Sequence, residues 1–480
     1  MEINPFQRFG NLLPFVPLAA KGLSAWVVLT LFATGVGGGE TEAPIFVDVT
    51  KQVGLDGMHP YHVAWGDFDN DGSVDLHEYK HVWRNVGGSF ELVAVLGGVG
   101  VWGDYNNDGY LDIFCARDQK LYQNIAGSRF KDQSSQLPPC PIGRPWSAAW
   151  GDFNGDGLLD LYVTGFEAPN ISAYHQDMRL RNRGDGSFEV VWTGGTQPGR
   201  GVTAADFDED GDIDIYVSNY RLEPNILWRN DGSGSFTNVA TPYQALGGHG
   251  HTIGSAWGDL DDDGHLDLFV GNFAHPGQPE PKFLRNLGPA GSWHFEDRSA
   301  GAGLAFVESF ASPALGDFDN DGDLDLFLTA VYSPDACVLY RNDGCWKFTN
   351  VTEQAGLAGL VTSEQGNWAD YDNDGDLDLL ADGRLFENRT KSGAWIKLRL
   401  VGRKANRAAI GAQARVTLGD RTLTRQVAGG TGETHQNDLT LHFGLGQATG
   451  PVSANILWPG GTIQKALVPL NATTTITQGD

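Results

Sequence analysis

The sequence is poor in positive charge. Its 480 residues carry 33 Lys and Arg against 60 Asp and Glu, a formal net charge of −27. Such an acidic chain repels phosphate backbones and anionic lipid headgroups, which argues against nucleic acid and membrane surfaces as general partners. Charged residues total only 19% and hydrophobic ones 41%, so the chain is neither a disordered polyelectrolyte nor a membrane bundle. Cysteine is scarce too. Cys115, Cys140, Cys337 and Cys345 are too few and too scattered for a disulfide scaffold or a CxxC metal site. They fall as two local pairs, which leaves one or two bridges open, although Cys337 and Cys345 lie unevenly about the turn at 342–344. No GxSxG, HExxH, P-loop or dinucleotide fingerprint occurs, so no enzyme class is indicated.

Long apolar runs are missing but for one. Leu23 to Gly37 is apolar, about 15 residues against the roughly 20 a membrane span needs. Arg8 and Lys21 flank it on one side, and small residues from Ala33 to Gly37 close it. Residues 1–40 therefore read as a signal peptide or an N-terminal anchor, which places the mature chain outside the cell, in the periplasm or on the cell surface.

What is abundant is glycine, 65 residues, about twice ordinary usage, and it recurs with aspartate in one pattern. D-x-[DN]-x-D-G-x-x-D starts at Asp67, Asp104, Asp152, Asp206, Asp259, Asp317 and Asp370, with gaps of 37 to 58 residues. Each copy follows a Trp-Gly or Ala-rich lead-in and precedes an apolar run such as DLFVGN (267–272). A run ending in Arg-Asn or a variant comes next, as in ILWRN (226–230), then a turn and a piece such as SFTNV (235–239). Four short strands separated by Asn/Asp/Gly turns make one unit. Seven units at this period predict an all-β, seven-bladed propeller over residues 45–390. The seventh unit lacks its fourth run, and the missing piece stands ahead of the first as IFVDVT (45–50). The N-terminal strand is expected to complete the last blade and remove an open edge.

Oxygen donors at positions 1, 3, 5 and 9 of a loop turned by Gly at position 6 suit calcium, which takes six to eight oxygens. The candidate ligands are Asp67, Asp69, Asp71 and Asp75; Asp104, Asn106, Asp108 and Asp112; Asp152, Asn154, Asp156 and Asp160; Asp206, Asp208, Asp210 and Asp214; Asp259, Asp261, Asp263 and Asp267; Asp317, Asp319, Asp321 and Asp325; and Asp370, Asp372, Asp374 and Asp378. An EF-hand would need Glu at position 12, which only Glu78 of the first unit supplies, and no amphipathic helices flank the loops. Plain Asx turns would explain one copy. Seven copies of converging carboxylates would repel one another without a cation. Twenty-six of the carboxylates sit at these positions, so the rest of the chain sums to −1, and seven Ca²⁺ would bring the whole to −13.

These repeats resemble the FG-GAP/VCBS repeats and are similar to the calcium loops of integrin α-subunit propellers. The resemblance implies that positions 1, 3, 5 and 9 ligate calcium, on the face away from the one integrins use for ligands. From about Trp395 the Asp motif ends and Arg and Lys rise. Residues 393–478 read as a separate small β module resembling the ASPIC/UnbV domain, carried by Ile410-Gly411-Ala412, Arg415-Val416, Gln436, HFGLG (442–446) and WPGG (458–461). Where that domain is usually rich in Ser and Tyr, this chain has Gly432-Glu433-Thr434-His435. The combination resembles the cartilage-acidic-protein family, which implies an extracellular calcium-binding protein with adhesive or scaffolding roles toward protein or glycan partners. The alternative is a propeller-based polysaccharide hydrolase or lyase. It rests on long connections such as 166–178 and 273–282, and on His59, His62, His249 and His251, with His59 and His251 each eight residues ahead of a loop and expected at one channel mouth.

Overall fold

The computed structural model describes residues 45–59, 61–168, 173–391 and 393–479. The expected signal peptide or anchor lies outside the described residues. Helix among them is confined to two 3₁₀ turns, Ser134–Gln136 and Pro289–Gly291, and no helix is long and apolar enough to cross a membrane.

Seven four-stranded antiparallel sheets follow one another along the chain. In blade 1 the strands are Val63–Gly66, Asp75–Glu78, His81–Asn85 and Phe90–Val95. Blade 7 takes Gly366–Ala369, Asp378–Ala381 and Arg384–Asn388 from the end of the repeats and Phe46–Asp48 from their start, with Phe46 opposite Asn388. The ring thus closes through the N-terminal strand, as the missing seventh run predicts.

The Trp-Gly lead-in explains how one blade seats on the next. Trp102, Trp150 and Trp368 are buried, and each indole N–H donates to a carbonyl of the preceding blade: Ala64 at 3.1 Å, Val101 at 3.2 Å and Ala314 at 3.2 Å. The ring lies over the glycine that ends that blade's first strand. A Cβ on Gly103 would sit 2.8 Å from Trp150, and one on Gly316 2.7 Å from Trp368, so only glycine fits. The Asn closing each third strand adds a second stitch. Asn85, Asn124, Asn182, Asn230, Asn286, Asn342 and Asn388 are buried, and each amide donates to the position-2 carbonyl of the blade before it. The set is circular: Asn85 of blade 1 reaches Tyr371 of blade 7.

The tail adds two sheets, Leu441–Gly444 with Trp395–Val401 and Thr473–Thr477, and Arg421–Gln426 with Gln413–Leu418, Val452–Leu457 and Ile463–Val468. It does not stand alone. Its apolar core, including Leu398, Val416, Phe443 and Trp458, runs on into Phe114 and Trp150 of the propeller, and the two parts form one compact unit. The segment 429–437 leaves the tail and fills the central channel. Gly429 accepts from Trp150 N–H and Gly432 from Val202 N–H, both at 2.9 Å. Gln436 exchanges backbone hydrogen bonds with Val63 and Trp65, and its side chain accepts from Trp102 N–H at 2.7 Å. Inward backbone groups on the first strands of blades 1 to 4 are satisfied in this way.

Candidate metal centre

Each Asp loop joins the end of a blade's first strand to the start of its second. Gly72, Gly109, Gly157, Gly211, Gly264, Gly322 and Gly375, at position 6, have φ between +84° and +103°, a region open to glycine. The position-1 Asp accepts from the Gly N–H at position 6 in every loop, at 2.7–3.2 Å. The position-9 Asp is more constrained. In all seven blades one oxygen accepts from the position-2 N–H, and the other from the N–H of the third-strand Asn. For Asp267 these are Leu260 at 2.9 Å and Asn286 at 2.7 Å. A group that accepts on both oxygens must be a carboxylate, so position 9 is Asp throughout, while position 3 tolerates Asn106 and Asn154.

Three of the four expected donors converge in five loops. Carboxylate oxygens lie within 4.8 Å of one another for Asp67, Asp69 and Asp71; Asp206, Asp208 and Asp210; Asp259, Asp261 and Asp263; Asp317, Asp319 and Asp325; and Asp370, Asp372 and Asp374. Position 9 joins its cluster only at Asp325, in the loop where Asp321 stays outside. Asp75, Asp214, Asp267 and Asp378 accept the same two backbone N–H groups as Asp325 but lie outside the clusters of their loops. Asp104, Asp108, Asp112, Asp152, Asp156 and Asp160 belong to the two loops with an Asn, whose amides donate to Asp108 and Asp156 at 3.0 Å.

The electrostatics favour a cation. Burial, opposed in part by hydrogen bonds, pushes Asp75 and Asp160 up to about 8 and Asp67 up to about 6. Burial followed by neighbouring carboxylates raises Asp206 to about 8 and Asp319 to about 6. Asp208 Oδ1, Asp259 Oδ1, Asp261 Oδ1 and Asp370 Oδ1 are buried with no hydrogen-bond partner. Orphaned buried carboxylate oxygens converging from positions 1 and 3 match the hard-oxygen set that calcium takes. Protein cations also reach these loops. Arg84 meets Asp69 at 2.8 Å, and Arg285 meets Asp261 at 2.6 Å and Asp263 at 2.9 Å.

Sequence reasoning missed the tail's part in this face. Lys397 Nζ lies 2.6 Å from Asp370, Arg399 Nη1 3.0 Å from Asp67, and Arg415 2.9 Å from Glu209. Thr424 N–H donates to Asp259 at 3.0 Å and Gly444 N–H to Asp317 at 2.9 Å. The rise in Lys and Arg after Trp395 was the available signal: the basic tail caps the acidic loop face.

The remaining expectations resolve locally. All four cysteines are free, Cys115 and Cys337 buried, Cys140 and Cys345 exposed. Glu78 accepts from His59 N–H at 3.0 Å and faces His81 at 3.1 Å, so it is engaged away from the first loop. His59 stacks among Tyr61, Tyr79 and His81, whereas His251 packs with Tyr220, Phe273 and His275. The two histidines belong to separate aromatic groups on different blades. His62 is buried beside Gln365, and His249 is exposed.

Residues 104–163, 206–270 and 317–381 match the FG-GAP-like repeat family, and residues 402–480 match the family described as ASPIC and UnbV. Human "Cartilage acidic protein 1" is 31% identical over 159 residues, 31% of this chain and 24% of that protein. The Mus musculus protein of that name is 28% identical over 201 residues, 38% of this chain and 28% of its own. The chain thus spans about a quarter of the length of the curated relatives it matches. Among solved structures, BBS1N in complex with ARL6DN aligns at TM-score 0.45 and 10% identity over 73% of this chain and 98% of that one.

Proposed function

The chain is an FG-GAP-repeat propeller carrying an ASPIC and UnbV domain, and from that premise we propose that it is a secreted or surface-exposed calcium-binding interaction protein. Its proposed metal ligands are the loop residues at positions 1, 3 and 5, with position 9 completing the site as Asp325 does beside Asp317 and Asp319. The observation that carries the reading is the set of buried, unpartnered oxygens on Asp208, Asp259, Asp261 and Asp370. Bound calcium would neutralise the clustered charge and hold each loop closed, stiffening the blades for an extracellular protein or glycan partner; the propeller ring supplies the rigid scaffold that such loops and surfaces need.

The test is calcium titration of chelator-stripped protein. Isothermal calorimetry should record binding to several sites. Each site held at a hundredfold over its Kd adds about 2.7 kcal/mol, so the melting temperature should climb by several degrees. Absence of binding heat together with an unchanged melt would overturn the reading. The polysaccharide-cleaving alternative loses its main support, since His59 and His251 do not share a cluster.

A further inference from the structure

The segment that fills the channel enters from the Asp-loop side. Along the first strand of blade 3 (Pro145–Gly151), Gly429 pairs with Trp150, Gly432 accepts from Ser147 Oγ at 3.3 Å, and Glu433 accepts from Trp146 Nε1 at 2.8 Å. Four residue steps along the strand separate Trp150 from Trp146, about 13 Å. Glu433 therefore stands near the opposite mouth, at the tip of a loop whose returning arm pairs through Gln436.

Its carboxylate is held on both oxygens. Arg117 Nη2 and Trp146 Nε1 meet Oε1 at 3.1 and 2.8 Å, and Arg200 Nε meets Oε2 at 3.0 Å. The arginines are themselves fixed. Arg117 lies 3.8 Å over the Trp146 ring and Arg200 5.0 Å over Tyr220. Phe166 lies 4.7 Å from Trp146 at a tilt of 32°, and Arg144 lies 4.8 Å over the same indole. Three donors of fixed direction, stacked on aromatic rings inside a chain of net charge −27, make a receptor for one carboxylate. The Arg117 side chain is 27% exposed while that of Glu433 is 4%, so the receptor opens outward behind its occupant. Glu364 also faces this group; burial and then Glu433 push it up to about 7.

We propose that the channel mouth opposite the Asp loops is a carboxylate-binding site, built by Arg117, Arg200 and Trp146 and occupied in cis by Glu433. The occupant is the tip of the tail's own loop, so filling the site holds the loop in the channel. With the Glu433 carboxylate gone, the same donors take a small free carboxylate.

The test uses the full chain with Glu433→Ala, which leaves a vacancy about the size of acetate. The variant should melt about 5 °C below wild type, since buried Arg200 and half-buried Arg117 lose the carboxylate that meets them both. Acetate should recover at least half of that loss along a saturating curve. Acetamide, the neutral shape mimic, and chloride at equal ionic strength should not. Glu433→Ala/Arg200→Met should melt low and show no acetate response. Equal recovery by acetamide or chloride, or a variant that melts like wild type, would overturn the site. Should Glu433→Ala fail to fold in plain buffer, its refolding yield in acetate against acetamide reads the same distinction, and no difference between them counts against the proposal. Glu433→Gln, which keeps the shape but not the charge, must also melt below wild type.

Discussion

Asp267 and Asp261 share one loop, and the structure separates their duties. Asp267 is fully buried, and both its oxygens accept backbone N–H groups. In Asp267→Asn one oxygen becomes an NH₂ that faces a backbone donor. One charge-assisted hydrogen bond is lost, about 1.5–3 kcal/mol, and a buried N–H is orphaned at about 1–3 kcal/mol more. The expected cost is about 3–5 kcal/mol. At roughly 0.9 kcal/mol per degree for a chain of this size, that lowers the melting temperature by about 3–6 °C. Asp261 differs: its Oδ1 has no partner and its Oδ2 meets Arg285 and Trp346. Asn106 and Asn154 already occupy the corresponding position. Asp261→Asn should cost under about 1 kcal/mol in chelator and instead weaken the stabilisation by calcium, since it removes one charge from the cluster. The assay is paired thermal melts of both variants and wild type, in chelator and across a calcium series. Equal losses for the two variants in chelator, or a Asp267→Asn melt matching wild type there, would refute the division of roles.

Three further outcomes are expected. Asp177 is buried and raised to about 7 by that burial, against hydrogen bonds from Gly165 N–H and Tyr162 Oη at 2.7 Å. A carboxyl with its folded pKa above its unfolded value stabilises fully below about pH 4 and loses that contribution as pH rises through about 7. Asp177→Asn should therefore gain on wild type across that window by up to about 4 kcal/mol, and a pH-independent gap between their melts refutes this. Asn85→Ala strips the seam stitch to Val74 and Tyr371 carbonyls at 3.1 and 2.7 Å and should lower urea stability by about 2–4 kcal/mol; a loss below about 0.5 counts against the ring of amides. Gly264→Val forces a side chain onto φ +98° with its Cβ 3.3 Å from Thr422 of the tail, so trypsin should cut faster at Arg389 and Lys391, and an unchanged digest opposes it.

The blades could be read from the sequence because their signals are local. Each Asp loop, Trp-Gly pair and Arg-Asn ending lies within one repeat, and sevenfold repetition separates it from chance. Even closure was visible, since IFVDVT stands where no blade of its own follows. What stayed hidden depends on pairs far apart in the chain. Nothing in Gly432-Glu433-Thr434 indicates that it ends against Trp146, 287 residues away. The backbone role of position 9 was hidden because a backbone acceptor and a metal ligand demand the same side chain. The two histidines misled because equal spacing before a loop fixes a height along the first strand, not a distance across the ring between blades 1 and 5.

The seam has a consequence for the order of events during synthesis. Phe46–Asp48 leaves the ribosome first, yet its partner strand Arg384–Asn388 follows some 340 residues later. At about 5–20 residues per second the wait is about 17–70 s, during which the first strand has an unsatisfied edge and the ring stays open. The channel segment emerges later still, tethered at both ends, so it enters as a folded-back arm and the chain end never passes through the ring. Blade 7 and the plug are thus the last parts to form, and a chain stopped near residue 394 would complete a ring with nothing in its hole.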